Sequence, residues 1–546
     1  MAILSHLVNF SLNLYNVLIQ LNYKYIFGLI FLYYVIRPYI EYFRTRKNRA
    51  PGPLPWPLVG YWHIYLYGDV AKKQYDLNEK YGDVVEIEMY GFRCIVISEP
   101  KLLKDLFSPS VRSPFLRRIP LLPGFIELGM DKEGLLLNLD VDKWRHNRKF
   151  FQQSLSPPSF IDLSTKYTRE CCEEMMDYWR NVNDGTVIRL EEWYRAFTSD
   201  MMGLVAAGGK EESMKILYNK VINNYSAKKT NNTKEIQNDK GEKYRQLRSE
   251  YPDACAFYIF VPKLLWNLPF IKSRYQYYRN VLDWLTDFEV NFIKERKSQI
   301  EEEKTITTNK INKTSKHGSN IKPDFLTMLI TMNGEVEPTP DEIKQNIREM
   351  FSAGTGTTTT TLCTTTYLLA THPEIEKRML DEILEVVGPD RPVESSDLPK
   401  LEFTEAILNE AMRLYPVVPI TYRYSPDYDT QIAGYKFPPN TVFAIDLGHI
   451  HRNPKYFKDA DKFIPDRFMG KDWKDTIPQF AFSPFGHGMR SCPGKHLAMT
   501  EMKVILATIF RKFSFKLVKP NDPLNIRFTL VNDISELDVY AEKRIL

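Results

Sequence analysis

Hydrophobic and polar positions change period several times along this chain, and each change predicts an element. Tyr25 to Ile36, YIFGLIFLYYVI, is apolar without interruption. A helix needs roughly 20 residues to cross a bilayer. The run reaches that length only by borrowing Leu21 to Tyr23 or the adjoining RPYIEYF. Leu7 to Leu21 is also fairly apolar, but Asn9, Asn13, Asn16 and Gln20 break it. Val84 to Ser98, VVEIEMYGFRCIVIS, alternates with period two and is rich in β-branched residues. That predicts a hairpin turning at Gly91 and Phe92. Helical periods dominate from about Pro100. Ser226 to Lys243 and Lys297 to Lys322 interrupt them with Asn, Thr, Lys and Glu, and read as surface insertions or loops. Lys322-Pro-Asp-Phe starts the next helical run. After Pro416 short strands and turns take over, as in YDTQIAGYKFPPNTVFAIDL. A last helix is expected from about Gly494 to Lys512, with short strands after it. The pattern is that of a mainly α chain with small β-sheets (α+β).

One stretch resists this reading. MFSAGTGTTTTTLCTTTYLLATHPE begins at Met350, and nine of the twelve residues from Thr355 to Thr366 are threonine. Each threonine costs a helix about 0.5 kcal/mol or more relative to alanine. The flanks, DEIKQNIREMF and HPEIEKRMLDEILEVV, are nonetheless helical in pattern. A run of hydroxyls and two glycines inside helical territory calls for a purpose.

Prolines and charge divide the chain. Ala50 to Gly60, APGPLPWPLVG, holds four prolines, which forbid helix and make a stiff tether. Arg37, Arg44, Arg46, Lys47 and Arg49 come after the apolar run, and no Lys or Arg precedes Lys24. Such a cluster holds the rest of the chain on the cytosolic side. The organisation expected is an N-terminal membrane anchor with a basic stop segment (1–49), a hinge (50–60) and one large domain (61–546). No basic n-region or small-residue cleavage site marks a signal peptide. A formal net charge of +5 over 546 residues does not suggest nucleic acid, but suits an acidic partner or an anionic membrane. Six cysteines without a CxxC make neither a disulfide framework nor a zinc site.

One cysteine stands in a special setting. Phe482 to Gly494 reads FSPFGHGMRSCPG, so Cys492 lies in a loop of glycines and prolines just before a helix. Amides at a helix start and Arg490 would favour a thiolate there. The residues alone leave a metal or heme thiolate and a catalytic thiol as comparable readings. His487 and His496 are near in sequence, but no His/Asn arrangement supports a protease-like nucleophile.

Phe485-x-x-Gly488-x-Arg490-x-Cys492-x-Gly494 resembles the heme-binding loop of the cytochrome P-450 family, the heme-thiolate monooxygenases. Glu410-x-x-Arg413 in NEAMRLYP resembles its ExxR helix, and Arg467 in FIPDRF its third partner. Residues three apart share a helix face. Trp144 and Arg148 in DKWRHNRKFF, together with Arg423 and Arg490, resemble the side chains that bind the heme propionates. The resemblance covers essentially the whole chain after Pro51. It implies the family fold, with a long central helix across the heme, and heme b (iron-protoporphyrin IX) with Cys492 as axial ligand. Two electrons would come from NADPH through a reductase of the FAD/FMN type, with cytochrome b5 a further partner. One atom of O2 would enter a small apolar organic substrate. The location implied is the endoplasmic reticulum membrane, with a single-pass anchor and the catalytic domain facing the cytosol.

On this resemblance the threonines line an oxygen pocket. Ala353, Gly354, Thr355, Gly356, Thr357 and Thr358 occupy the family's A/G-G-x-acid-T-T/S pattern. The glycines would let backbone approach the porphyrin and the helix loosen. Thr357 and Thr358 would be the catalytic hydroxyls, while Thr359 to Thr361 and Thr364 to Thr366 would pack. The acid is missing: residue 356 is glycine, so proton delivery must rest on Thr357 and water or on another carboxylate. A Gly356→Asp change is therefore expected to alter coupling.

Lys143, Arg145, Lys149 and Lys495 are a candidate reductase-docking face. Substrate contacts are expected from Arg112 to Leu135, Met201 to Ala207, the central helix before Ala353, and Val417 to Thr421. Phe115, Leu121, Leu122, Phe125, Val417 and Val418 make these segments apolar. Two other readings keep the heme: an isomerase or dehydratase acting without O2 or reductase, and a non-catalytic heme sensor.

Overall fold

The N-terminal apolar run folds, in this computed structural model, as one helix. This α1 (Tyr23–Thr45) extends the run at both ends, reaches 23 residues at a mean hydropathy of 1.3 and leaves most of its described side chains exposed, Tyr42 being buried. By length and composition it can cross a membrane. The structure describes residues 23–545, apart from 46–48, 57–59, 62–69, 228–239, 312–323, 332–337 and the positions 38, 41, 90, 91, 121, 131, 156, 183, 184, 433, 471 and 529. The Leu7 to Leu21 segment, Gly91 and Leu121 lie outside the described residues.

The chain divides into two compact units, Met1–Ser98 with Ser425–Ala444, and Glu99–Tyr424 with Ile445–Leu546. In the smaller unit α2 (Val70–Tyr81) precedes an antiparallel hairpin of β1 (Val84–Met89) and β2 (Phe92–Ile97). Met89 pairs with Phe92, so Phe92 starts the second strand. Arg93 grips buried Glu86 at 2.9 and 2.8 Å, and Arg49 adds a contact at 3.1 Å.

The larger unit opens with α3 (Pro123–Leu128), α4 (Val141–Leu155) and α5 (Pro158–Arg180). Then come β3 (Ile188–Arg189), α6 (Leu190–Ala207), α7 (Ser213–Ala227), α8 (Lys240–Ser249) and α9 (Tyr251–Phe260). Next are α10 (Pro269–Ile311), α11 (Phe325–Thr331), α12 (Pro340–Thr371), α13 (Pro373–Val386), α14 (Glu402–Leu414) and β4 (Ile420–Tyr424). The smaller unit resumes with β5 (Thr430–Ile432), which pairs with β6 (Tyr435–Phe437), and ends within β7 (Val442–Asp446). The larger unit closes with α15 (Leu447–Arg452), α16 (Trp473–Thr476), α17 (Lys495–Ile509), β8 (Phe513–Leu517), β9 (Asn525–Phe528), β10 (Asn532–Glu536) and β11 (Asp538–Lys543).

The fold is mainly helical with small sheets, as the periodicity predicts. In the larger unit β11 joins β3 to β8, and β9 pairs with β10. The two-residue strand β3 is too short for a sequence pattern. Residues 297–311 differ from expectation: they continue α10, because the Glu, Gln and Lys of SQIEEEK are strong helix formers. Helices also reach Ala227 and restart at Lys240, so the other polar stretch is helical at its ends.

The central helix α12 organises this unit. Thr339 and Glu342 form a capping box at its start: the Glu342 amide donates to Thr339 Oγ1, and the Thr339 amide to Glu342 Oε2. It runs unbroken through the threonines and packs against α6 and α14, while α17 packs on α5. The expected loosening at Gly354 and Gly356 is absent.

Candidate active site

The site is built on a buried ion-pair knot. Three-residue spacing puts Glu410 and Arg413 on one face of α14, both with 0% side-chain exposure. Arg413 donates from Nε and Nη2 to the two carboxylate oxygens at 2.7 and 2.8 Å. Its Nη1 donates to the carbonyls of His451 and Ala460. Arg467 adds a contact to Glu410 Oε1 at 3.3 Å, and the Ile464 amide donates to the same oxygen at 2.9 Å. An unpaired charge at this depth would cost several kcal/mol, so the three side chains require one another.

The knot reaches the cysteine loop through His451. Burial and the charge of Arg413 push this imidazole down to about 3, so it is neutral and its Nε2 accepts from the Ser483 amide at 3.0 Å. From Ser483 the loop folds by backbone bonds. The Gly486 amide donates to the Ser483 carbonyl, and the Cys492 amide to that of Phe485 at 2.8 Å. Gly488 has φ +69°, and a Cβ there would stand 2.3 Å from the Phe107 carbonyl oxygen, so only glycine fits. Lys495 rests over the Phe485 ring. Gly494 begins α17, and a Cβ on it would lie 3.9 Å from Cys492 Sγ.

Cys492 is exposed, whereas the other five cysteines are buried. It is nonetheless deep among protein atoms and so lines a concave site. Burial raises its thiol pKa, while the Gly494 amide, Arg148, Arg118 and Lys495 pull it down.

A cluster of cations and one indole gathers beside this loop. Arg490 lies 4.1 Å over the Trp144 ring and donates to the carbonyls of Leu116 and Leu135 at 2.6 and 2.9 Å. Arg148 Nη1 donates to the Ser491 carbonyl at 2.7 Å. Arg423 donates from Nε to the Leu106 carbonyl at 3.0 Å. Burial first, then mutual repulsion, lowers Arg490 well below its usual range and Arg423 to about 9. Trp144 Nε1, Arg118 Nε and Arg148 Nε are buried without a partner in the protein. Buried donors of this kind are normally satisfied. The set fits a ligand carrying two carboxylates.

Two members escaped the sequence reading. Arg118 donates to the Arg490 carbonyl at 3.4 Å. Glu349 of α12 accepts from the Leu135 and Leu136 amides at 2.6 and 3.0 Å, fixing the loop whose Leu135 carbonyl holds Arg490. Burial raises the Glu349 pKa against those two bonds. The signal was a carboxylate in the helix-buried register of IREMFSAG.

On α12 the threonines sort by face. Ala353 is exposed and Thr357 half-buried in the middle of α12, beside buried Thr355 and Thr358. Thr357 Oγ1 donates back to the Ala353 carbonyl at 2.6 Å. Thr358 is buried, and so are Thr359 to Thr361 and Thr364 to Thr366. Thr359 bonds Thr198, and Thr366 bonds Tyr194, both on α6. Gly354 also belongs to this seam: its Cβ would stand 2.2 Å from Met202 Sδ of α6, so any side chain there would have to displace Met202.

The expected substrate segments separate in the same way. Phe125 packs in an aromatic core with Phe257, Tyr258 and Trp266. Met201 and Met202 are buried in α6. Val417 and Val418 stay half-exposed. Within the basic face, Lys143 pairs with Glu133 and Arg145 with Asp142, leaving Lys149 and Lys495 exposed.

The Cytochrome P-450 family profile matches residues 50–539, and the chain belongs to that family. Its similarity to individual members is spread over most of its length. It is 25% identical to aromatase 1 of Sus scrofa over 90% of this chain and 87% of the relative. It is 24% identical to tabersonine 6,7-epoxidase isoform 2 of Catharanthus roseus over 90% and 92%. It is 25% identical to methyltetrahydroprotoberberine 14-monooxygenase of Papaver somniferum over 92% of each. The chain is an oxidoreductase of the cytochrome P-450 monooxygenase type.

Proposed function

We propose that the protein inserts one atom of O2 into a small apolar organic substrate, with electrons from NADPH delivered by a membrane-bound FAD/FMN reductase. The balance is RH + O2 + NADPH + H+ giving ROH, water and NADP+. The observation that carries this is the convergence of unpartnered donors from Trp144, Arg118 and Arg148 beside Cys492. A bound heme supplies the one-electron and dioxygen chemistry that no side chain has. Cys492 would hold it through a thiolate. Trp144, Arg118, Arg148, Arg423 and Arg490 would hold its two propionates, since forked guanidinium groups suit carboxylates. Glu410, Arg413 and Arg467 keep the cysteine loop in place. Thr357 on the exposed strip of α12 is the hydroxyl that holds and passes a proton; buried Thr358 supports it.

Exposed Lys149 and Lys495 give the reductase, or cytochrome b5, a cationic docking point. α1 anchors the protein in the endoplasmic reticulum membrane, and Arg37, Arg44 and Arg49 keep the rest cytosolic. The relatives' names span an aromatase, an epoxidase of tabersonine and a monooxygenase of methyltetrahydroprotoberberine, so they single out no substrate. Gly356 in place of an acid favours one rival, a peroxide isomerase or dehydratase. Turnover assayed with reductase, NADPH and O2 each omitted in turn separates the two. Loss of product in every omission is expected. Product formed without O2 and reductase would establish the rival.

A further inference from the structure

The missing acid at residue 356 has a structural counterpart. Ser352, Gly356 and Thr360 recur every fourth residue on α12 and so share one face, a step around the helix from Ala353 and Thr357. With Thr355 they form one wall of a partly open cavity of about 70 Å³, bounded also by residues of α6, α8 and α9 and by Arg527, Val531, Asn532 and Asp533. A buried water needs about 10–15 Å³ of such space and two to four polar partners, so several fit. Thr355 Oγ1 shows that the cavity wants them: the residue is 7% exposed and this oxygen has no partner in the protein. A Cβ built on Gly356 meets nothing within 4 Å, so the glycine leaves this wall open.

Asp533 is the one carboxylate among the residues lining the cavity. Arg195 of α6 holds it at 2.8 Å, with both side chains partly exposed. The other two arginines are neutralised by carboxylates outside the lining, Arg248 by Glu211 at 2.8 Å and Arg527 by Asp253 at 3.4 Å. Asp533 is thus placed to exchange protons with solvent and with water inside.

The geometry points to a proton route particular to this chain: solvent protons reach the Thr357 hydroxyl through water in this cavity, and Asp533 is the positioning carboxylate in place of the acid absent at 356. The route rests on the monooxygenase reading above. Two protons enter per turnover. Each proton that Asp533 passes to the inner water is replaced from bulk solvent, so the carboxylate ends unchanged.

The test uses the full-length holoprotein with its reductase. Asp533→Asn should cut product formed per NADPH consumed by about tenfold, below the usual span for general acid catalysis because water remains in place. It should also raise the solvent isotope effect on product formation. Adding Gly356→Asp to that variant should restore coupling to near wild type, which a merely structural role for the Arg195–Asp533 pair would not allow. A crystal structure of the wild type should show ordered water on Thr355 Oγ1. Unchanged coupling in Asp533→Asn, no rescue by Gly356→Asp, or a dry cavity would each overturn the route. These failures are distinct from failure of the underlying reading, which would show as no thiolate-heme spectrum in the wild type.

Discussion

Two buried glutamates meet opposite fates. Glu410 is fully enclosed yet faces Arg413 and Arg467. Glu501 on α17 is also enclosed, but Oε1 has no partner, and burial alone pushes its pKa up to about 8 from 4.5. The folded state therefore holds a proton that the unfolded chain has released between those values. Stability from this residue is full below about pH 4.5, falls as pH rises, and levels off above about pH 8. Glu501→Gln, which keeps the shape without the titration, should flatten that slope. Urea midpoints of the holoprotein from pH 5 to 8 measure it, and an equal slope in both proteins would place Glu501 in a wetter setting than the structure shows. At this scale the ion pair of Glu410 and Arg413 was legible through the family pattern that places both on one helix face. Arg118 and Glu349 were not, because they act through backbone groups of residues far away in sequence, and no local pattern records such a partner.

At the scale of the element, the threonine run is a seam between helices. Side chains return hydrogen bonds to the preceding turn, as Thr361 does to the Thr357 carbonyl at 3.0 Å, so their polar groups can be buried. The seam against α6 adds Thr198–Thr359 and Tyr194–Thr366. Gly354 is set by the same packing, so Gly354→Ala should destabilise by about 1–3 kcal/mol through overpacking against Met202. Met202→Ala opens space, and the double variant should be more stable than the two single effects predict when summed. Chemical unfolding of the four proteins gives the coupling directly; additive effects would remove Met202 as the contact. The helical period announced only the flanks of α12, and the family resemblance its continuity. Threonine's low propensity argues for a break, whereas burial against α6 supplies the stability that propensity withholds. The same bias hid the helix over 297–311, where a run of polar residues gave a loop-like composition.

For the whole molecule, the hairpin and the C-terminal strands were announced by period, and the Pro-rich stretch falls where the family match begins at residue 50. What period could not give is which segments combine: residues 425–444 join the N-terminal unit. Deleting residues 1–49 should move the protein from the membrane to the soluble fraction while leaving its heme spectrum unchanged. Retention of the shortened chain on membranes would assign the anchoring to another surface.

The claim on which the rest depends is that Cys492 ligates a heme iron. The absorption spectrum of the reduced protein under carbon monoxide, beside that of Cys492→Ala, tests it most directly. The wild type should show the strongly red-shifted Soret band of a thiolate-ligated heme, and the variant should lose it. A wild type without heme, or a band indifferent to the loss of Cys492, would contradict the account.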